Sequence, residues 1–254
     1  MIHTPITLPI CLPESAGIPA AALPRPLTAR GEWTPHAPFA AHAEVFAPAG
    51  EASGAGLALG LARAALAAAP RTGEDEAEDR RAWLWVQDAA AIRLGGRPYR
   101  PGLPADLRAR LVHVAAAKPE DALFALEEGV RCRDLAFVEG EIAGNPRALD
   151  FTASRRLVLA AERHGIALWL IRLGASRDLG AARLRWEARA APSQPGRWNP
   201  HAPGAPAWHA DLFRARGVRP GAWTVREDGA RLSVDKPAAE DAARPQPLTA
   251  HGPA

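Results

Sequence analysis

The chain is poor in cysteine, in lysine and in long apolar runs. Its 254 residues hold two cysteines, Cys11 and Cys132, far apart and without Cys-x-x-Cys spacing. That excludes a disulfide framework and a cysteine-based zinc site, and a reducing cytoplasm is the expected compartment. Cys132 lies between Arg131 and Arg133, which would favour a thiolate, but a buried structural role is the stronger expectation. No run of 18 apolar residues exists, so no membrane-spanning helix is expected. The first ten residues lack a basic head and carry early prolines, unlike a secretory signal. Lysine occurs only at 118 and 236, and arginine supplies the rest of the 31 basic residues against 28 acidic ones. A net charge of +3 is too mild to argue for nucleic-acid binding by itself.

What is present is unevenly placed. Of 25 prolines, nine fall in residues 1–48, six in 49–191 and ten in 192–254. This predicts a proline-rich arm over 1–41, a compact core over 42–236 and a disordered proline-rich tail over 237–254. The acidic block Glu74–Asp79 reads as a solvated loop. Residues 155–189 hold eight arginines against Glu162, Asp178 and Glu187.

Within the core, helix and strand signals alternate. Helices are expected over Leu57–Ala69, Pro119–Val130 and Asp150–His164, the second opened by Pro119 and the third closed by Gly165. Short apolar runs at His42–Phe46, Trp83–Val86, Leu111–Val114, Leu135–Val138 and Ile166–Ile171 read as strands. Strands separated by helices imply a parallel sheet covered on both faces. Beyond Arg177 the pattern changes to alternation over Ala182–Ala190, with further strands at Ala210–Arg216 and Ala222–Val234 and a hairpin signal at Asp228-Gly229. The fold class is therefore α/β, with a mostly parallel central sheet flanked by helices and antiparallel strands on its C-terminal side; this is a recombinase-type, RecA-like layout that many other α/β folds share.

Such a sheet opens with strand, phosphate loop and helix. The segment in that place is Ala49-Gly50-Glu51-Ala52-Ser53-Gly54-Ala55-Gly56. Against G-x-x-x-x-G-K-[ST], Ala49 stands at the first glycine, Gly54 at the second, Ala55 at the lysine and Gly56 at the hydroxyl position. The lysine that reaches the terminal phosphates and the hydroxyl that holds Mg²⁺ are both missing. Backbone N–H groups at the helix start remain able to cradle an anion. Glu139 and Glu141 stand where a metal-orienting carboxylate would follow the third apolar run, although a strand-end acid is more often solvated or paired. No metal site is expected; His201 and His209 are a pair without further ligands.

The stretches Glu127–Glu141, Ala148–Glu162, Leu170–Gly174 and Ala210–Trp223 resemble the ImuA family of damage-inducible mutagenesis proteins, and the likeness covers roughly residues 42 to 227. That family is similar in fold to the recombinase RecA. Compared with RecA, the strand Ala82–Gln87 would deliver a catalytic glutamate, and Ala89 stands in its place. With Ala55 and Gly56 this makes three departures at one site, so no ATP hydrolysis and no cofactor are expected. The resemblance implies a non-enzymatic accessory protein of SOS-induced translesion synthesis, bridging ImuB, an error-prone polymerase of the replicative type and RecA at damaged DNA. Two alternatives stand beside it, a divergent ATPase of the recombinase superfamily and a SulA-like inhibitor of cell division.

Candidate residues for pairing with DNA phosphates or acidic partners are Arg155, Arg156, Arg163, Arg172, Arg177, Arg183, Arg185 and Arg189. Single-stranded DNA is among the candidate ligands. Trp186 alternates opposite the arginines and reads as core, whereas Trp198 and Trp208, in a proline-rich loop, are candidate interface aromatics.

Overall fold

The computed structural model describes residues 31–35, 42–68, 79–195, 199, 201–228 and 231–236. The expected arm, apart from residues 31–35, the tail, Trp198 and most of the acidic block lie outside them.

The elements follow in order: β1 (Gly31–Glu32), β2 (His42–Ala47), α1 (Ser53–Ala68), β3 (Ala82–Asp88), α2 (Ala89–Gly95), a 3-10 turn (Arg100–Gly102), α3 (Ala105–Arg108), β4 (Leu111–Ala116), α4 (Pro119–Arg131), β5 (Leu135–Ala143), α5 (Phe151–His164), β6 (Ala167–Leu173), β7 (Leu184–Ala190), β8 (Ala207–Ala215), β9 (Val218–Arg219), β10 (Gly221–Asp228) and β11 (Arg231–Asp235). Nine strands form one sheet in the order β11-β10-β8-β7-β2-β6-β5-β3-β4. From β7 to β4 every pair is parallel; β7–β8, β8–β10 and β10–β11 are antiparallel. This is the mixed sheet that the change of pattern after Arg177 predicts. The hairpin signal at Asp228 joins β10 to β11.

Local chemistry sets the helix ends. The Asp150 carboxylate accepts from the Ala153 N–H at 2.7 Å and starts α5; Gly165, at φ +68°, takes the left-handed conformation that ends it. Pro119 opens α4, with Glu120 and Asp121 in its positive first turn. Helices α4 and α5 each lay one apolar stripe on the sheet, whereas α1 is buried on nearly all sides over its first ten residues. Residues of α1, α2 and α3 pack on one face with Trp83, Trp169, Ile171, Trp186 and Trp208. Residues of α4 and α5 pack on the other with Leu84, Val138, Ile142, Leu168 and Leu170. At about 1.5–3 kcal/mol for each large side chain removed from water, these two layers hold the domain together.

Trp33, ahead of the sheet, is buried in the first layer. Its ring stands 4.7 Å from Trp186, edge to face, and 5.1 Å from Trp223. The adjacent β1 pairs in parallel with β9. Cys132, expected to be buried, is exposed, because it falls just past the end of α4. Among the described residues no helix is long and apolar enough to cross a membrane.

Candidate functional site

The loop from β2 to α1 occupies the centre of the sheet, since β2 lies between β6 and β7 and all six of its residues are buried. Its glycines answer to packing. A Cβ at Gly54 would stand 2.8 Å from both Ala47 Cβ and Ile171 Cγ2, so only glycine lets α1 approach β2 and β6 this closely. A Cβ at Gly56 would stand 2.9 Å from Trp208 Nε1. The position that would carry the metal-binding hydroxyl is thus covered by an indole.

Glu51 closes the loop from the other side. One carboxylate oxygen accepts from Ser53 Oγ at 3.0 Å and from the Ala190 N–H at 2.9 Å, joining the loop to the end of β7. Ser53 Oγ also lies 3.4 Å from the Ala188 carbonyl oxygen. The segment therefore holds an anion of its own beside the start of α1, where a bound phosphate would need positive potential. The residue types missing from the loop were legible in the sequence. The roles of Glu51 and Trp208 were not, because both depend on strands more than a hundred residues away.

At the end of β3, Asp88 accepts from the Ala91 N–H at 2.6 Å and caps α2, of which Ala89 is the first residue. The strand thus ends on a helix cap, with alanine in the place of a catalytic acid.

The β5 acids are neither strand-end nor solvated. Glu139 is fully buried in register between Trp85 and Trp169, and neither of its carboxylate oxygens has a hydrogen-bond partner. Burial, reinforced by Glu141, raises its pKa well above the ordinary value. Glu141 is pushed up to about 7 by burial, against the opposing hydrogen bond from Gln87 Nε2 at 2.5 Å. Gln87 Oε1 in turn meets His113 Nε2 at 2.9 Å, which carries the row to strand β4 at the sheet's edge. A carboxyl group that resists ionisation is a poor metal ligand. No cluster of three or more metal-ligating side chains occurs among the described residues.

The eight arginines do not form one basic surface. Arg172 and Arg185 are buried and belong to the core. Arg185 Nε donates to Glu44 at 2.6 Å, and Arg172 donates to Asp178 at 3.1 Å and to the Gly144 carbonyl at 3.2 Å. Both guanidinium groups lie over the Phe46 ring, at 5.0 and 5.5 Å. Burial pushes the Asp178 carboxyl up, but hydrogen bonds from Arg172 and Asn145 outweigh it and hold the group below the ordinary range.

Four more arginines are paired nearer the surface. Arg177 bonds Glu187 and stacks 3.9 Å from the Phe213 ring; Arg189 reaches Glu187 at 2.8 Å. Arg183 meets Glu162 at 2.5 Å, and Arg156 meets Glu127 at 2.7 Å. Of the eight, only Arg155 and Arg163 stand exposed without an acidic partner among the described residues.

The reason is topological. Alternation over β7 fits a strand with one wet face, yet β7 lies between β2 and β8, and Arg185 sits beside Glu44 in register. The signal that pointed there was Glu44, a carboxylate in the middle of a strand whose six residues are all buried. Trp208 needs the same correction: it is buried against α1, in the core and not at an interface, because β8 folds back over that helix.

No family model matches the chain. Two curated relatives do, both called Protein ImuA, from Caulobacter vibrioides strains NA1000 / CB15N and ATCC 19089 / CIP 103742 / CB 15. Each is 33% identical over 159 residues, covering 56% of this chain and 59% of the relative. The match therefore spans less than two thirds of the relatives' length.

Proposed function

Since this chain is a relative of the ImuA proteins, we propose that it is a non-enzymatic accessory protein of damage-inducible mutagenesis with a RecA-like core. In this reading it works in the cytoplasm during error-prone translesion synthesis. It bridges ImuB, the error-prone polymerase and RecA at damaged DNA, and does so without hydrolysing ATP.

The observation that carries the reading is the β2–α1 loop. It has Ala55 for the phosphate-binding lysine and Gly56 for the metal-binding hydroxyl. Trp208 fills the space that a side chain at 56 would need, and the Glu51 carboxylate lies where negative charge would be bound. A phosphoryl-transfer site works by positive charge and a metal placed around the phosphates. This loop supplies a carboxylate and an indole instead. For partner contact, Arg155 and Arg163 are the cations among the eight with no internal acid to satisfy them.

Two measurements test the reading. Equilibrium binding of ATP with Mg²⁺, with and without single-stranded DNA, is expected to show no saturation at millimolar nucleotide; micromolar binding overturns the non-enzymatic assignment. Capture assays with purified ImuB and RecA from the same organism are expected to retain at least one of them; retention of neither overturns the bridging role.

A further inference from the structure

Helices α4 and α5 lie side by side on one face of the sheet, joined across their outer surface by the Arg156–Glu127 pair at 2.7 Å. Both connect parallel strands, so they run in the same direction. Their outward ridges have opposite chemistry at one spacing. On α4, Glu120, Phe124 and Glu128 recur every fourth residue and are all exposed. On α5, Phe151, Arg155, Leu159 and Arg163 recur every fourth residue and are all exposed. One ridge thus reads acid–aromatic–acid, and the other aromatic–cation–aliphatic–cation.

The apolar members are well out in solvent: Phe124 is 67% exposed, Phe151 50% and Leu159 54%. Val112 of the edge strand β4, on the same side of the sheet, is 46% exposed. Four of the seven large apolar side chains that the described residues expose are therefore on this one face. Arg155, Arg163 and Glu120 have no ion-pair partner among the described residues, so their charges are available, whereas Glu128 is held by Arg131 at 2.5 Å on its own helix and would share its second oxygen. Rows of side chains four apart are the ridges by which helices interlock.

We infer that this face is a homodimer interface, with a second copy of the chain as its occupant. A twofold axis running along the groove between α4 and α5 lays α4 of each copy on α5 of the other. It sets Glu120 and Glu128 against Arg155 and Arg163, and Phe124 against Phe151 and Leu159. A surface that joins an acidic helix to a basic one is complementary to itself under that rotation, as an isologous contact requires. The inference does not rest on the proposed function, because it concerns only this chain.

The test is sedimentation velocity on the full chain over a concentration series. A dimer is expected to predominate at about 100 µM, and Phe124→Glu with Leu159→Glu to weaken it at least about tenfold. Two charge-reversed variants make the test specific. The first carries Glu120→Arg and Glu128→Arg; the second carries Arg155→Glu and Arg163→Glu. Each alone is expected to be monomeric, and an equimolar mixture to recover the dimer, because every contact in the mixed pair is again opposite in charge. All substitutions are at exposed positions, and circular dichroism checks that each variant keeps its helices. A wild-type chain that stays monomeric at about 100 µM overturns the inference. So does a dimer that both charge-reversed variants leave intact.

Discussion

The indole nitrogen of Trp208 stands 2.9 Å from the point where a side chain at Gly56 would begin. A strand from the C-terminal third of the fold thereby sets the residue type permitted in the first turn of α1. Installing the lysine and hydroxyl of a phosphate loop with Ala55→Lys and Gly56→Thr is expected to leave ATP binding undetectable and to destabilise the fold by about 1–3 kcal/mol through overpacking. Gly60→Ala is the control. Its Cβ would meet Leu232 Cδ2 at an ordinary 3.4 Å, so the higher helix propensity of alanine is expected to raise stability by up to about 1 kcal/mol. Urea unfolding of both variants checks the contrast.

Glu44 and Arg185 are a buried pair at the centre of the sheet. Arg185→Met is expected to cost about 3–5 kcal/mol, because it leaves a carboxylate without its partner in the interior. Adding Glu44→Gln is expected to recover much of that loss. A double-mutant cycle in urea reads the coupling, and two losses that simply add would show that the pair acts independently.

Stability should also follow pH in a definite direction. The Glu141 carboxyl is raised from 4.5 to about 7, so between those values the folded chain keeps a proton that the unfolded chain has released. Stability therefore falls as pH rises through that window, by up to about 1.4 kcal/mol per pH unit for one group. Glu139, raised well above the ordinary carboxyl value by burial and then by Glu141, acts in the same direction. His42 acts in the opposite sense. Burial and then Arg185 lower it from 6.5 to about 3, so stability falls as pH drops from 6.5 towards 3. The two slopes oppose each other between 4.5 and 6.5, and the acids act alone above 6.5. Glu141→Gln is expected to flatten the neutral limb and His42→Leu the acidic one, both read from urea midpoints over pH 3–9.

Trp33 packs against Trp186 and Trp223 although it precedes the large sheet. Trp33→Ala is expected to lower stability by about 3–5 kcal/mol, as for a large aromatic side chain removed from a core. Removing residues 1–41 should cost a similar amount if Trp33 is the main anchor. A truncated chain as stable as the full one contradicts that role.

Much of the fold was legible because its signals are local. Pro119, Asp150 and Gly165 mark helix ends by their own backbone chemistry, and α4 and α5 carry a helical period. The change from crossover helices to alternating strands after Arg177 marks the turn from parallel to antiparallel pairing. The site was half legible. Ala55, Gly56 and Ala89 declare themselves by residue type. The burial of Arg172 and Arg185 does not, because it comes from neighbours brought in by β2 and by the segment that carries Asp178. Trp208 reads as a loop aromatic until β8 is known to cross α1. Glu139 is the sharpest case: its strand is evident, but nothing local reveals a carboxyl group held between two indoles.

The position of β2 has a consequence for synthesis. His42 pairs with Leu168 and Ala43 with Leu184, so the strand at the middle of the sheet waits for partners made more than 120 residues later. Non-local pairing of this kind folds slowly. As the chain leaves the ribosome, β3, β4 and β5 can pair among themselves, while β2 and the apolar side of α1 stay uncovered until β6 and β7 emerge. A nascent chain halted before residue 167 thus exposes a strand that the native fold buries along its whole length, with both edges open, the kind of species that aggregates or engages a chaperone. The same order of pairing makes the C-terminal half the part that commits the chain to its native sheet.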